Sequence, residues 1–144
     1  EKMKEKYAGT NIEIQTDFSN TSSVFDADIL IGDWSSIGFE YAFTTEKPVI
    51  SIDTPMKIMN PEYKKVDVPP INIWGREEIG EVVAPKDVKS IDRVVTKMLK
   101  NPEKYKQKIV ALREDAVYNL GKSAEVGAEY IIEKVQEKIK ERKN

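Results

Sequence analysis

Apolar residues crowd into Ile29-Leu30-Ile31 and again into Val49-Ile50-Ser51-Ile52, with a polar turn and a mixed stretch between them. Consecutive apolar positions mark a strand covered on both faces, the pattern of a parallel sheet in an α/β fold. The spacing predicts strands over 28–32 and 48–52. A helix over 35–44 joins them and turns Ile37, Tyr41 and Phe43 toward the sheet. Alternation of Ile12 and Ile14 with polar residues predicts a short strand from Asn11 to Gln15, and Val82 to Ala84 reads as another. Residues 1–8 read as the end of a helix stopped by Gly9. The loop from Asp17 to Asn20 offers Ser19, Asn20 and Thr21 as caps for a short helix through Val24 and Phe25. Across 53–80, Pro55, Pro61, Pro69 and Pro70 forbid long regular structure. A loop of that length in a compact domain is functional or mobile.

Helical periodicity takes over in the last third. Pro85-Lys86-Asp87 starts a helix over 87–100, with Ile91, Val94, Val95, Met98 and Leu99 on one face. Asn101-Pro102 breaks it, and Pro102 suits the first turn of a helix running to about Asn119 and ending at Gly121. Ser123 caps a final helix to about Lys143, whose apolar stripe is Val126, Tyr130, Ile131, Val135 and Ile139. Strand–helix alternation followed by a helical tail predicts an α/β fold. It is a small Rossmann-like parallel sheet flanked by helices and closed by the C-terminal third, one domain over 1–144 without internal repeats.

The turn Gly32-Asp33-Trp34-Ser35-Ser36 carries the candidate chemistry. It lies at a strand's carboxyl end, where open α/β sheets bind ligands. Ser35 and Ser36 sit where the next helix begins, beside unpaired N–H groups that carry partial positive charge. Hydroxyls and N–H groups in that arrangement make a cradle for phosphate or diphosphate. Ser and Asp are also common helix N-caps, so capping alone is the competing explanation.

Composition narrows the choices. The 144 residues are 40% hydrophobic and 33% charged, with a net charge of −2, which gives no electrostatic reason to expect nucleic-acid binding. There is no Cys, hence no disulfide framework or thiolate metal site. There is no His either, which removes the commonest general base and metal ligand. No apolar run approaches a membrane span, and the first residues do not form a signal peptide. The chain opens in what reads as mid-helix, the mark of a piece of something longer.

Taken together, Ala27-Asp28-Ile29-Leu30-Ile31-Gly32-Asp33-Trp34-Ser35-Ser36, Glu40 and Lys47-Pro48-Val49-Ile50 resemble the CDP-glycerol glycerophosphotransferase family of teichoic-acid polymerases and primases. Asn60-Pro61-Glu62-Tyr63 and the Asn119-Leu120-Gly121-Lys122-Ser123 turn are similar to that family as well. The likeness covers roughly residues 10–130, and 28–52 carry most of its specificity. It implies a GT-B architecture of two Rossmann-like halves, with this chain in the C-terminal, nucleotide-donor-binding half. The whole enzyme would move glycerol phosphate from CDP-glycerol to a lipid-linked cell-wall polymer, working in the cytoplasm at the inner face of the membrane and in peripheral contact with it. No cofactor or metal is implied. By the same resemblance Ser35 and Ser36 would hydrogen-bond donor phosphates, and Glu40 would accept ribose hydroxyls. Asp33 would orient the turn through backbone N–H groups, since a carboxylate beside a diphosphate is repelled. The family's catalytic histidines have no counterpart here, so this chain by itself is expected to be inactive.

Other residues carry two readings each. Arg76, after the proline-rich loop, matches phosphate geometry, but a surface ion pair with Glu77, Glu78 or Glu81 is the simpler expectation. Lys122, with Ser123, stands at a helix start where it reaches a phosphate or is merely solvated. Trp34 either stacks on a base or packs on the core. Cations at Lys138, Lys140, Arg142 and Lys143 suit anionic lipid, yet Glu133, Glu137 and Glu141 interleave with them as on a solvated face. An apolar strand ending in Asp33 also suggests a receiver domain. That requires an acidic pair after the first strand, and Gln15-Thr16-Asp17 supplies one carboxylate. A GT-B glycosyltransferase using another nucleotide sugar, or a noncatalytic nucleotide-binding module, stands as the alternative function.

Overall fold

The computed structural model describes residues 2–17, 22–56, 58 and 60–143. Helices α1 (Lys2–Lys6) and α2 (Ser22–Asp26) precede β1 (Leu30–Gly32), α3 (Ile37–Thr45) and β2 (Val49–Ile52). After the proline-rich loop come α4 (Ile71–Trp74), a 3-10 turn at Gly75–Glu77 and β3 (Gly80–Val83). A second 3-10 turn at Pro85–Ser90 leads into α5 (Ile91–Leu99), α6 (Pro102–Ala116) and α7 (Ser123–Lys143). The cap candidates Ser19, Asn20 and Thr21 lie outside the described residues.

The three strands form a parallel sheet in the order β1-β2-β3. Ile31 pairs with Ile50, and Ser51 with both Gly32 and Val82, so the carboxyl ends of all strands share one edge. Gly80 is required where β3 meets β2. A Cβ there would stand 1.7 Å from the carbonyl oxygen of Val49.

The core sits between the sheet and its helices. Phe39, Tyr41 and Ala42 of α3 pack with Val49, Ile50 and Ile79, and with Met98, Tyr105, Ile109 and Leu112 from α5 and α6. Burying this apolar surface supplies the main stabilisation. Several polar groups at its rim are paired. The Tyr41 hydroxyl donates to the Ala27 carbonyl at 2.8 Å, and Lys47 Nζ donates to the same oxygen at 2.8 Å. Thus the lysine of the Lys-Pro pair ties the start of β1 to the start of β2. Glu46 ends α3 at φ 59°, a left-handed conformation that a non-glycine residue pays on the order of 1–3 kcal/mol to adopt. Its carboxylate is clamped by Arg113 at 2.8 Å and Lys106 at 2.9 Å. Hydrogen bonds from Lys106 and Arg113 hold that carboxyl below the usual range. Burial alone would raise Glu81, but hydrogen bonds from Lys97 and Tyr105 outweigh it and lower the group.

The parallel pairing of β1 with β2 follows the sequence, as does the helix between them. Five expectations need correction. Residues 11–15 form no strand, and Ile12 is 48% exposed, because two apolar positions do not bury enough to hold a strand without a paired neighbour. β1 is not covered on both faces. Ile31 is half exposed because β1 is the edge of the sheet. Leu99 turns outward, and α5 buries Met98 fully instead. The helix expected to reach Asn119 ends at Ala116, and the chain turns through left-handed Asn119 and Gly121. Finally, α7 does not close the core. Val126, Tyr130, Ile131, Val135 and Ile139 are all exposed. Val126 and Val135 are two and a half turns apart at about 3.6 residues per turn, so they face opposite sides and make no single stripe.

Candidate functional site

Parallel strands bring the turn after β1 and the turn after β2 to the same edge of the sheet. There Asp33, Trp34 and Ser35 face Thr54, Pro55 and Met56 across a cavity of about 610 Å³, closed by residues of the proline-rich loop and α4. The volume lies within the range of small-ligand pockets, roughly 300–1,000 Å³. A second space of about 10 Å³ lies beneath it, bordered by Gly32, Ser51 and Arg76. Asp33, Trp34, Ser35 and Asn72 line both.

Trp34 is the hinge of this arrangement. Its indole Nε1 donates to the Thr54 carbonyl at 2.6 Å, which pins the first turn to the second. The Arg76 guanidinium lies over its ring, 3.7 Å from the centroid. Trp34 therefore packs, and what it packs against is a cation.

Arg76 departs from the surface-pair expectation. It precedes β3, yet its Nη2 meets Asp53 Oδ1 at 2.9 Å, just past the carboxyl end of β2. The side chain is 11% exposed, and neither Nε nor Nη1 has a hydrogen-bond partner among the described residues. Leaving buried donors unmatched costs about 1–3 kcal/mol each. Glu78 pairs with Lys108 and Glu81 with Lys97.

The serines sit at the start of α3 as expected. Ser36 occupies the N-cap position with helical φ and ψ and makes no side-chain cap bond. Its hydroxyl instead donates to Glu40 Oε1 at 3.2 Å, which joins the two residues on the exposed flank of the turn. Ser35 Oγ accepts the Ile37 N–H at 3.4 Å, the distant limit of a hydrogen bond. The N–H groups of Phe39 and Glu40 bond the Ser36 carbonyl. Asp33 makes no hydrogen bond to the turn's backbone, contrary to the orienting role the resemblance implies. Its carboxylate is exposed at the cavity rim. Lys122 and Ser123 line neither space. The Ser123 hydroxyl donates to the Tyr118 and Asn119 carbonyls, so it closes the turn before α7 and does not cap that helix through its N–H groups.

Sequence reasoning missed Asp53, Thr54 and Asn72. Asp53-Thr54-Pro55 directly follows a predicted strand, the position where α/β ligand sites gather, and that was the available signal. Asn72 carried none.

No group of three or more His, Cys, Asp or Glu among the described residues could hold a metal ion. No helix among them is long and apolar enough to cross a membrane. No protein-family model, curated protein or solved structure matches the chain.

Proposed function

We propose that this chain binds the phosphates of a nucleotide donor at the Asp33–Ser36 turn, as the donor-side part of a glycerophosphotransferase acting on CDP-glycerol or a related donor. What carries the reading is Arg76. A guanidinium with two buried nitrogens unmatched among the described residues lines the same small space as Ser35, next to the start of α3 at the carboxyl edge of a parallel sheet. Guanidinium, hydroxyl and helix N-terminus each favour a phosphate oxyanion. On the outer flank, Glu40 lies one turn beyond Ser36 and accepts its hydroxyl hydrogen bond. A ribose hydroxyl arriving there would take the same place.

Calorimetric titration of the chain with CDP-glycerol, CDP-ribitol, CMP, UDP-sugars and pyrophosphate tests this. A hydrogen bond to a charged group is worth about 1.5–3 kcal/mol, so Ser35→Ala with Ser36→Ala weakens donor binding at least about tenfold. Glu40→Gln weakens ribose-bearing ligands and does not weaken pyrophosphate. A double alanine variant that folds normally and binds as tightly as the parent would reduce the Ser-Ser turn to a helix start.

A further inference from the structure

We propose that the 610 Å³ cavity receives the neutral, hydroxyl-rich part of the donor, a polyol or a sugar, and that Asn72 is a specificity-determining residue within it. The assignment of donor halves rests on the phosphate reading of the Ser-Ser turn. The recognition chemistry does not.

The two flanks of the turn differ. Ser36 and Glu40 are hydrogen-bonded together and lie outside the cavity lining, whereas Asp33, Trp34 and Ser35 form part of it. A diphosphate held at the serines has two ends. The end at Glu40 meets a carboxylate suited to ribose, and the other end faces the cavity.

The lining matches a polyhydroxy group. Asn72, half-buried, has a side-chain amide without a hydrogen-bond partner among the described residues, as have the Thr54 and Tyr63 hydroxyls and the Asp33 carboxylate. Asn60 spends its carbonyl oxygen on the Glu62 N–H at 2.9 Å, which leaves its two amide hydrogens to donate. Both donors and acceptors are therefore on offer, as vicinal hydroxyls require. Among the described lining residues there is no Lys or Arg, and the one charge is Asp33. A carboxylate repels phosphate and accepts hydroxyl hydrogens. Trp34 adds an aromatic wall against which C–H bonds of a sugar can pack. Its ring is already held on one face by Arg76 and at its Nε1 by Thr54, so the wall is rigid.

The test uses phosphate-free probes followed by backbone amide shifts: ribitol, methyl glucoside and cytidine, each titrated into the chain, with pyrophosphate as control. Ribitol or methyl glucoside should shift residues of the cavity. Asn72→Leu, which keeps the side chain's bulk, should weaken that binding about three- to tenfold, the loss of a hydrogen bond or two to a neutral group. Asn72→Asp, which keeps its shape, should weaken it too. Pyrophosphate binding should stay unchanged in Asn72→Leu. No shift with either polyhydroxy probe would overturn the proposal. So would unaltered affinity in both variants, or cavity shifts caused by cytidine alone. If the polyhydroxy probes bind as expected while pyrophosphate does not bind to the parent chain, the cavity's chemistry stands and the phosphate reading of the turn falls.

Discussion

Arg76 makes one ion pair and one aromatic stack, while two of its buried nitrogens bond nothing among the described residues. Arg113, which braces Glu46 and the Phe43 carbonyl, leaves one buried nitrogen unmatched among the described residues, and Arg76 leaves two. Arg76 is held either as a brace of that kind or for a ligand that takes the unmatched donors. The two explanations separate on Arg76→Met. Methionine fills similar space, loses the stack and the Asp53 pair, and removes the unmatched N–H groups. The Asp53 carboxylate left behind is half exposed and stays hydrated, so unfolding in urea should show stability within about 1 kcal/mol of the parent. Pyrophosphate affinity should drop at least about tenfold. A large stability loss with binding intact would make Arg76 a brace between β2 and the Asp33–Ser36 turn and no more.

At the scale of elements, burial decides which periodic stretch becomes part of the core. α3 has a plain sequence for a helix, with Gly38 and three aromatic residues, yet four of its residues are buried because sheet and α6 enclose it. α7 is the longest helix described and buries no large side chain. Its stability within this chain rests on local pairs, such as Lys134–Glu137 and Lys138–Glu141, and on helix propensity. Truncating the chain after Lys122 should therefore change the urea midpoint little, by about 0.5 kcal/mol or less in stability, a surface-scale effect. A loss of several kcal/mol would mean that α7 packs on the core in solution.

Across the whole molecule, the core carries two phenols whose ionisation opposes folding. Burial pushes Tyr41 up to about 12. Burial, followed by the hydrogen bond to Glu81, pushes Tyr105 up to about 12 as well. In the unfolded chain a tyrosine ionises near 10. Between those values the folded state holds protons that the unfolded state releases, so stability falls as pH rises. Below pH 10 the contribution is complete. Denaturant midpoints should decline from pH 10 to 12, and less steeply for Tyr41→Phe. A flat profile across that window would show that neither phenol stays protonated in the folded state.

Much of this was legible from residue order. Runs such as Ile29-Leu30-Ile31 and Val49-Ile50 specify strands because hydrogen-bonding period and apolar run coincide locally. Pro102 marks a helix start and Gly9 the turn after a helix, through backbone geometry that belongs to the residue itself. The Ser35-Ser36 turn could be placed at a helix start on the same grounds. Contacts between distant positions could not. That Arg76 would meet Asp53 and Trp34, and not Glu77 or Glu81, depends on the path of the proline-rich loop back to the sheet. That Ile12 and Ile14 form no strand depends on which edge partner is present, since a strand exists only in a pair. Asn72 reached the cavity by the same route. Local energetics chose the elements, and the parallel register of β1, β2 and β3 chose which of their ends and loops came together.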